Sequence, residues 1–169
     1  MLTEEGFNII AAVDLNWAIG KKNELLVSVP EDRHLFLKET LGKAVVMGRN
    51  TFESLPGRQP LYGRDNIVLS RNRAFSPEGV TVKSSMEETL EYLKKYRGEE
   101  VYVIGGESIF RQFLPYCSAA EITCIDYAYD GDRFFPNLER DPEWELTGES
   151  DEETYFSLAY TFRLYHRTA

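Results

Sequence analysis

Ala44-Val45-Val46-Met47, Asn66-Ile67-Val68-Leu69 and Val101-Tyr102-Val103-Ile104 are nearly unbroken apolar runs, and each stops at a turn: Gly48-Arg49, Ser70-Arg71 and Gly105-Gly106. Runs this short that are apolar on both alternating faces suit strands covered from both sides, as in a parallel sheet. Helical signals fall between the runs. Pro30 fits the first position of a helix that should end near Gly42, because its missing N–H costs nothing there. A short helical stretch runs through Thr51-Phe52-Glu53-Ser54. Ser85-Met86-Glu87-Glu88 reads as a capping box, followed by a helical stripe of Met86, Leu90 and Leu93 that stops at Gly98. Ser108 to Leu114 supplies another helix, and Phe7 to Val13 and Val80 to Val82 two further strands. Strands around Ala120 to Asp126 and Thr154 to Tyr165 follow one another without a helix, which suggests an antiparallel edge hairpin. The pattern predicts an α/β chain with a mostly parallel central sheet, helices on both faces and that hairpin at the C-terminal edge.

The 169 residues, 43% of them hydrophobic, match one domain spanning 1–169 with a core that needs no covalent staples. A formal net charge of −9 argues against nucleic acid or anionic membrane as a partner, since both are bound through clustered Lys and Arg. Cys117 and Cys124 are too few for a disulfide scaffold and lack metal-ligand spacing, so free buried thiols in a reducing compartment are expected. The stretch from Met1 to Gly6 carries no basic region ahead of an apolar one, so a cytoplasmic protein is expected, and a monomer is the default.

Parallel strands place their ends together, so the three turns should gather at the sheet's carboxyl edge, where open α/β folds bind ligands. Gly105-Gly106 lets backbone N–H groups approach an anion with a helix start behind them. Arg49, Arg71 and the hydroxyls of Thr51 and Ser70 add charge and donors. Asp32 falls in the first turn of the Pro30 helix, with Phe36 four residues later on the same face. A carboxylate beside apolar neighbours has a raised pKa. Its neighbour Glu31 reads as an acid complementing the helix dipole.

The chain resembles the dihydrofolate reductase family. The resemblance is carried, in order, by Ile10-Ala11-Ala12, Ala18-Ile19-Gly20, Pro30-Glu31-Asp32 with Phe36, Val46-Met47-Gly48-Arg49 with Thr51, and Pro60-Leu61 with Gly63-Arg64. It continues through Asn66 to Arg71, Val103 to Gly106, Phe113-Leu114-Pro115, Ile122-Thr123 and Gly131-Asp132 with Phe135-Pro136. It implies hydride transfer from NADPH to dihydrofolate, with no metal. Asp32 would bond the pterin's ring nitrogen and 2-amino group and help bring a proton to N5, and Thr123 would orient that carboxylate. Ile10 and Ile104 would offer backbone carbonyls, and Phe36, Leu55 and Leu61 would wall the ring and benzoyl group. Ala11 and Val27 would join the substrate set, and Arg64 would clamp the glutamate tail's α-carboxylate. Ala12, Ile19 and Gly20 would line the nicotinamide. Gly105, Gly106, Glu107, Ser108, Ile109 and Thr51 would surround the pyrophosphate, and Arg49, Ser70 and Arg71 the adenosine 2′-phosphate. Ala18, Asn23, Gly48, Asn50, Lys83, Ile104, Phe110 and Gln112 complete the implied cofactor set. Asp132 matches a residue that steadies the loop around Gly20 to Glu24.

Leu25-Leu26-Val27 stands where the family usually carries Leu/Met-Pro-Trp, so an indole N–H that commonly holds an ordered water is missing. Arg133 replaces the Thr common after Gly-Asp, and Phe110 a frequent Tyr. The lost Trp motivates an alternative, a non-catalytic NADPH-binding paralogue. A pyrimidine reductase of riboflavin synthesis is a second alternative, set against the acid in the first helix and the Gly63-Arg64 clamp.

Overall fold

The structure, a computed structural model, describes residues 6–21, 24–25 and 28–168. In chain order its strands and helices are β1 (Phe7–Val13), β2 (Ala18–Lys21), β3 (Glu24–Leu25), α1 (Pro30–Thr40), β4 (Ala44–Gly48) and α2 (Arg49–Ser54). They continue with β5 (Asp65–Leu69), β6 (Val80–Lys83), α3 (Met86–Leu93), β7 (Val101–Gly105), α4 (Glu107–Phe113) and β8 (Cys117–Ile125). The chain ends with β9 (Arg133–Phe134), β10 (Trp144–Glu149), β11 (Glu153–Tyr155) and β12 (Leu158–Arg167).

The main sheet runs β10-β12-β8-β1-β7-β4-β5-β6, with β11 paired to β12. The stretch from β8 to β6 is parallel throughout, and β12 joins β8 antiparallel. Successive residues of the central strands alternate between two cores. Ile9, Val46, Ile67 and Val103 pack with α3 and α4 residues such as Leu93 and Phe113. Ile10, Val45, Met47, Val68 and Tyr102 pack with Phe36 of α1 and Phe52 of α2. This is the expected two-faced burial, with Ala44 to Met47 completely buried. Each Val, Ile or Met side chain among them contributes about 1.5–3 kcal/mol on leaving water.

Some boundaries differ from the sequence reading. The C-terminal segment is two strands: β11 and β12 pair around Phe156-Ser157, and Phe156 takes a positive φ of 57° that interrupts the extended run. The sheet's outer edge is β10, whose exposed polar residues hid it from a hydrophobic pattern. At Ser85 only half of the capping box forms. Ser85 Oγ accepts from the Glu88 N–H, while the Glu88 carboxylate turns to the N–H and hydroxyl of Ser84. Both cysteines are unpaired, Cys117 buried and Cys124 only partly so. Among the described residues no helix is long and apolar enough to cross a membrane.

A second sheet, β3-β2-β9, lies beyond the carboxyl end of β1. A buried carboxylate holds it there. Asp14 Oδ1 accepts from the N–H groups of Asn16 (2.8 Å) and Ala18 (2.9 Å), and Oδ2 accepts from Tyr129 N–H (2.8 Å). One side chain thus ties the β1–β2 turn to the segment between β8 and β9. Replacing it leaves three backbone donors without an acceptor in a site where Asp14 is 3% exposed. Asp14→Ala is therefore expected to lower the unfolding free energy by about 2–4 kcal/mol, read from urea denaturation. Asp14→Asn, which keeps one acceptor oxygen, should fall between the two.

Candidate active site

α1 starts at Pro30, and Arg33 N–H closes its first turn onto the carbonyl of Val29. That turn carries Asp32 over the C-terminal part of β8, where the Thr123 hydroxyl donates to Asp32 Oδ1 at 2.6 Å. Thr123 is 2% exposed, a polar strand residue kept inside the protein by this bond. Burial holds the Asp32 carboxyl above its ordinary range, and the Thr123 bond pulls it back only in part.

An apolar wall stands on the same side of the sheet. Ile10 at the middle of β1, Phe36 one turn beyond Asp32, Leu55 after α2, Leu61 and Ile104 at the end of β7 belong to one packed cluster. The loop bearing Leu61 is held by Asn66, a buried residue of β5 that sequence reading assigned only to a strand. Asn66 Oδ1 accepts from Leu61 N–H at 2.9 Å, and its amide donates to the carbonyls of Leu61 (2.9 Å) and Arg64 (3.1 Å). Arg64 is fastened in turn: Nε donates to Thr40 Oγ1 at 3.1 Å, and the terminal nitrogens donate to the carbonyls of Tyr62 and Leu37. Three of the five guanidinium N–H groups are used, leaving one on each terminal nitrogen. Two N–H groups on neighbouring nitrogens suit a carboxylate. Ala11 packs against the opposite core, so only its backbone shares this side with Ile10.

The three anion-type turns do assemble, because β7, β4 and β5 are parallel neighbours. A Cβ on Gly105, which has a φ of +125°, would lie 3.3 Å from the Phe110 ring and 3.6 Å from Thr51 Oγ1. A side chain there would be both strained and crowded. A Cβ on Gly106 would lie 3.7 Å from the same hydroxyl, and one on Gly48 would lie 3.1 Å from Ile109. The two glycine turns are thus packed together with the Thr51 hydroxyl beside them. Arg49 Nε donates to Glu53 at 3.2 Å and its guanidinium lies 4.5 Å over the Phe75 ring. Phe75 is a contact that nothing in its sequence neighbourhood signalled. Ser70 N–H donates to the Lys83 carbonyl at 2.9 Å, which brings the β6 end to the same edge, and Arg71 beside it is exposed. Asn50 is exposed on α2, and the Gln112 amide donates to Ser108 Oγ at 2.9 Å along α4. Ile109 and Phe110 are buried in the core, so their side chains support the turn.

Glu107 does not leave its charge loose beside an anion-type turn. Its carboxylate accepts from Phe134 N–H at 2.8 Å and from Arg111 Nε at 3.3 Å, which joins the start of α4 to β9. β9 pairs with β2, and Asp132 N–H donates to the Gly20 carbonyl at 2.9 Å. Ala18 and Gly20 are buried and Ile19 packs on the core between them, while Ala12 sits with Val29, Ile125 and Tyr160. Asn23, Leu26 and Val27 lie outside the described residues.

A family model described as dihydrofolate reductase matches residues 6–167. Curated relatives called dihydrofolate reductase include one from Haemophilus influenzae, 44% identical over 140 residues, covering 83% of this chain and 84% of the relative. Another, from Bacillus subtilis, is 36% identical over 164 residues, covering 95% of this chain and 94% of the relative. A solved structure of dihydrofolate reductase from Enterococcus faecalis, complexed with NADP(H) and RAB-propyl, is similar at a TM-score of 0.86 and 34% identity, covering 98% of each chain.

The buried carboxyl has a stability consequence with a definite sign. In the unfolded chain Asp32 ionises near 3.8, whereas the folded protein holds its proton to higher pH. The folded state therefore binds more protons in that interval, and stability falls as pH rises from about 4 through the folded value. Asp32→Asn cannot ionise and escapes this fall. Urea unfolding should find the variant close to wild type at pH 4 and more stable than wild type at pH 8, and a variant less stable at pH 8 would contradict the assignment.

Proposed function

The chain belongs to the dihydrofolate reductase family, and we propose that Asp32 is its acid and the crevice along β7, β4 and β5 its NADPH site. The reaction is the NADPH-dependent reduction of 7,8-dihydrofolate to 5,6,7,8-tetrahydrofolate, in which one hydride and one proton are added across a C=N bond. The observation that carries the residue assignment is the part-buried Asp32–Thr123 bond at one end of an apolar wall.

The cofactor crevice fits an anionic dinucleotide on its donor set. Arg49, Arg71 and Lys83 follow or end the parallel strands β4, β5 and β6, so they bring cationic charge to one sheet edge with the Ser70 and Thr51 hydroxyls, on a protein whose net charge is −9. Arg49, Ser70, Arg71 and Lys83 would hold a 2′-phosphate, and Thr51 with the start of α4 a pyrophosphate. Ala12, Ala18, Ile19 and Gly20 would line the nicotinamide. When bound, NADPH supplies the hydride.

The remaining work falls to the protein. Asp32 bonds the pterin's ring nitrogen and 2-amino group, and its burial keeps a proton available at higher pH than an exposed aspartate could. Thr123 fixes the carboxyl's orientation. Ile10 and Ile104 offer backbone carbonyls to the ring edge, and Phe36, Leu55 and Leu61 exclude water from its faces. Arg64, already aimed by Thr40 and two carbonyls, presents its two free N–H groups to the α-carboxylate of the glutamate tail. The protein is read as cytoplasmic, a reading supported by two unpaired thiols, and as a monomer by default.

Asp32→Asn should leave NADPH affinity nearly unchanged while lowering turnover with dihydrofolate about a hundredfold or more, the range of a lost acid. Activity within a few-fold of wild type would remove Asp32 from the mechanism. Replacing Arg49 and Arg71 together by Ala should weaken NADPH binding by about 2–4 kcal/mol and NADH binding little, because only NADPH carries the 2′-phosphate. Equal losses for the two cofactors, measured by fluorescence titration, would show that these arginines do not read that group.

A further inference from the structure

Two consecutive acids stand in the first turn of α1, and no side chain caps that turn from within: Val29 occupies the N-cap position. Both are held from the sheet instead. Thr123 on β8 donates to Asp32 at 2.6 Å, and the Tyr160 hydroxyl on β12 donates to Glu31 Oε2, also at 2.6 Å. The two donors share one face, because β12 pairs antiparallel with β8 so that Tyr160 stands opposite Ile125 and Phe162 opposite Thr123. Tyr160 is 3% exposed, packed among Val29 and Ile125 and set edge-to-face on Phe162 at 5.6 Å, so its hydroxyl has little freedom to turn elsewhere. Glu31 is exposed on its helix. The helix dipole alone accounts for an acid at this position, but not for a buried tyrosine reaching it.

We propose that Tyr160 and Glu31 form a second hydroxyl–carboxylate clamp beside Thr123 and Asp32, and that by holding the first turn of α1 on the sheet it fixes where the Asp32 carboxyl stands. Both are positioning residues, and the proposal rests on the reading of Asp32 as the acid. The groups around this turn are Thr123 from β8, Tyr160 from β12, Glu31 from α1 itself and Glu153 from β11, whose charge acts on Tyr160. Burial, and then the bond to Glu31, push the Tyr160 phenol up to about 12, so it remains a donor across the working range.

The test is the pH dependence of kcat/KM with NADPH and dihydrofolate for the full chain and two variants. Glu31→Gln keeps an oxygen for Tyr160 and so keeps the clamp, and its profile should stay with that of wild type. Tyr160→Phe removes the donor and loosens the turn that meets Thr123. The Thr123 bond favours ionised Asp32, so weakening it should move this profile to higher pH by about half a unit, a gain of about threefold on its alkaline side. Thermal unfolding of each variant establishes that it is folded. A Tyr160→Phe profile moved to higher pH beside an unmoved Glu31→Gln profile supports the clamp. Lower turnover of Tyr160→Phe on an unmoved profile, or a Glu31→Gln profile that moves as far, overturns it, because a purely structural hydroxyl would leave the profile where it was. Asp32→Asn is measured alongside: a wild-type profile there overturns the Asp32 reading and the clamp with it, whereas an inactive Asp32→Asn with unmoved profiles in the other two overturns the clamp alone.

Discussion

A parallel sheet buried on both faces leaves almost no place for chemistry inside its strands. Val45, Val46 and Met47 of β4 are fully buried, as are Ile67, Val68, Val101 and Val103 beside them, and a polar group at any of these positions would need a partner that its neighbours do not offer. The glycines and charged groups of these central strands therefore lie at their ends. Every parallel strand ends at the same edge, so Gly48-Arg49, Ser70-Arg71 and Gly105-Gly106 arrive together without any local interaction drawing them there.

Three buried polar side chains join segments distant in sequence. Asp14 ties the β1–β2 turn to Tyr129, Asn66 fixes the loop of Leu61 and Arg64, and Thr123 joins β8 to the first turn of α1. Left without partners, each would cost about 1–3 kcal/mol, so these bonds constrain the irregular segments more tightly than apolar contact does. Rigidity at the site thus comes from a few directional bonds laid over a non-directional core. Glu107 extends the same device outward, since its bond to Phe134 N–H connects the start of α4 to the small sheet over the carboxyl end of β1.

Much of this organisation is legible in the chain itself. The apolar runs announce the central strands, Pro30 marks the start of α1, and the glycine turns mark the carboxyl edge of the sheet. Asp32 is noticeable as an acid one turn before Phe36, but a strand threonine such as Thr123 looks like ordinary β-propensity until α1 is laid over it. Glu31 looks like a dipole complement for the same reason, its partner Tyr160 lying 129 positions away. β10 and the turn at Phe156 stayed hidden because exposed polar strands carry little hydrophobic signal.

The sequence alone determined the class of fold, that successive strand residues would take alternate faces and the residue types available at the sheet's edge. These depend on local geometry, the two-residue period of strands and the steric habits of Pro and Gly, which neighbouring residues encode. Only the tertiary structure decided the pairing of Asp32 with Thr123, of Glu31 with Tyr160, of Asn66 with the Arg64 loop and of Arg49 with Phe75. Those pairings depend on register and on how α1 and α2 lie across the sheet. Both are set by the packing of the whole core, so no short stretch of the chain contains them.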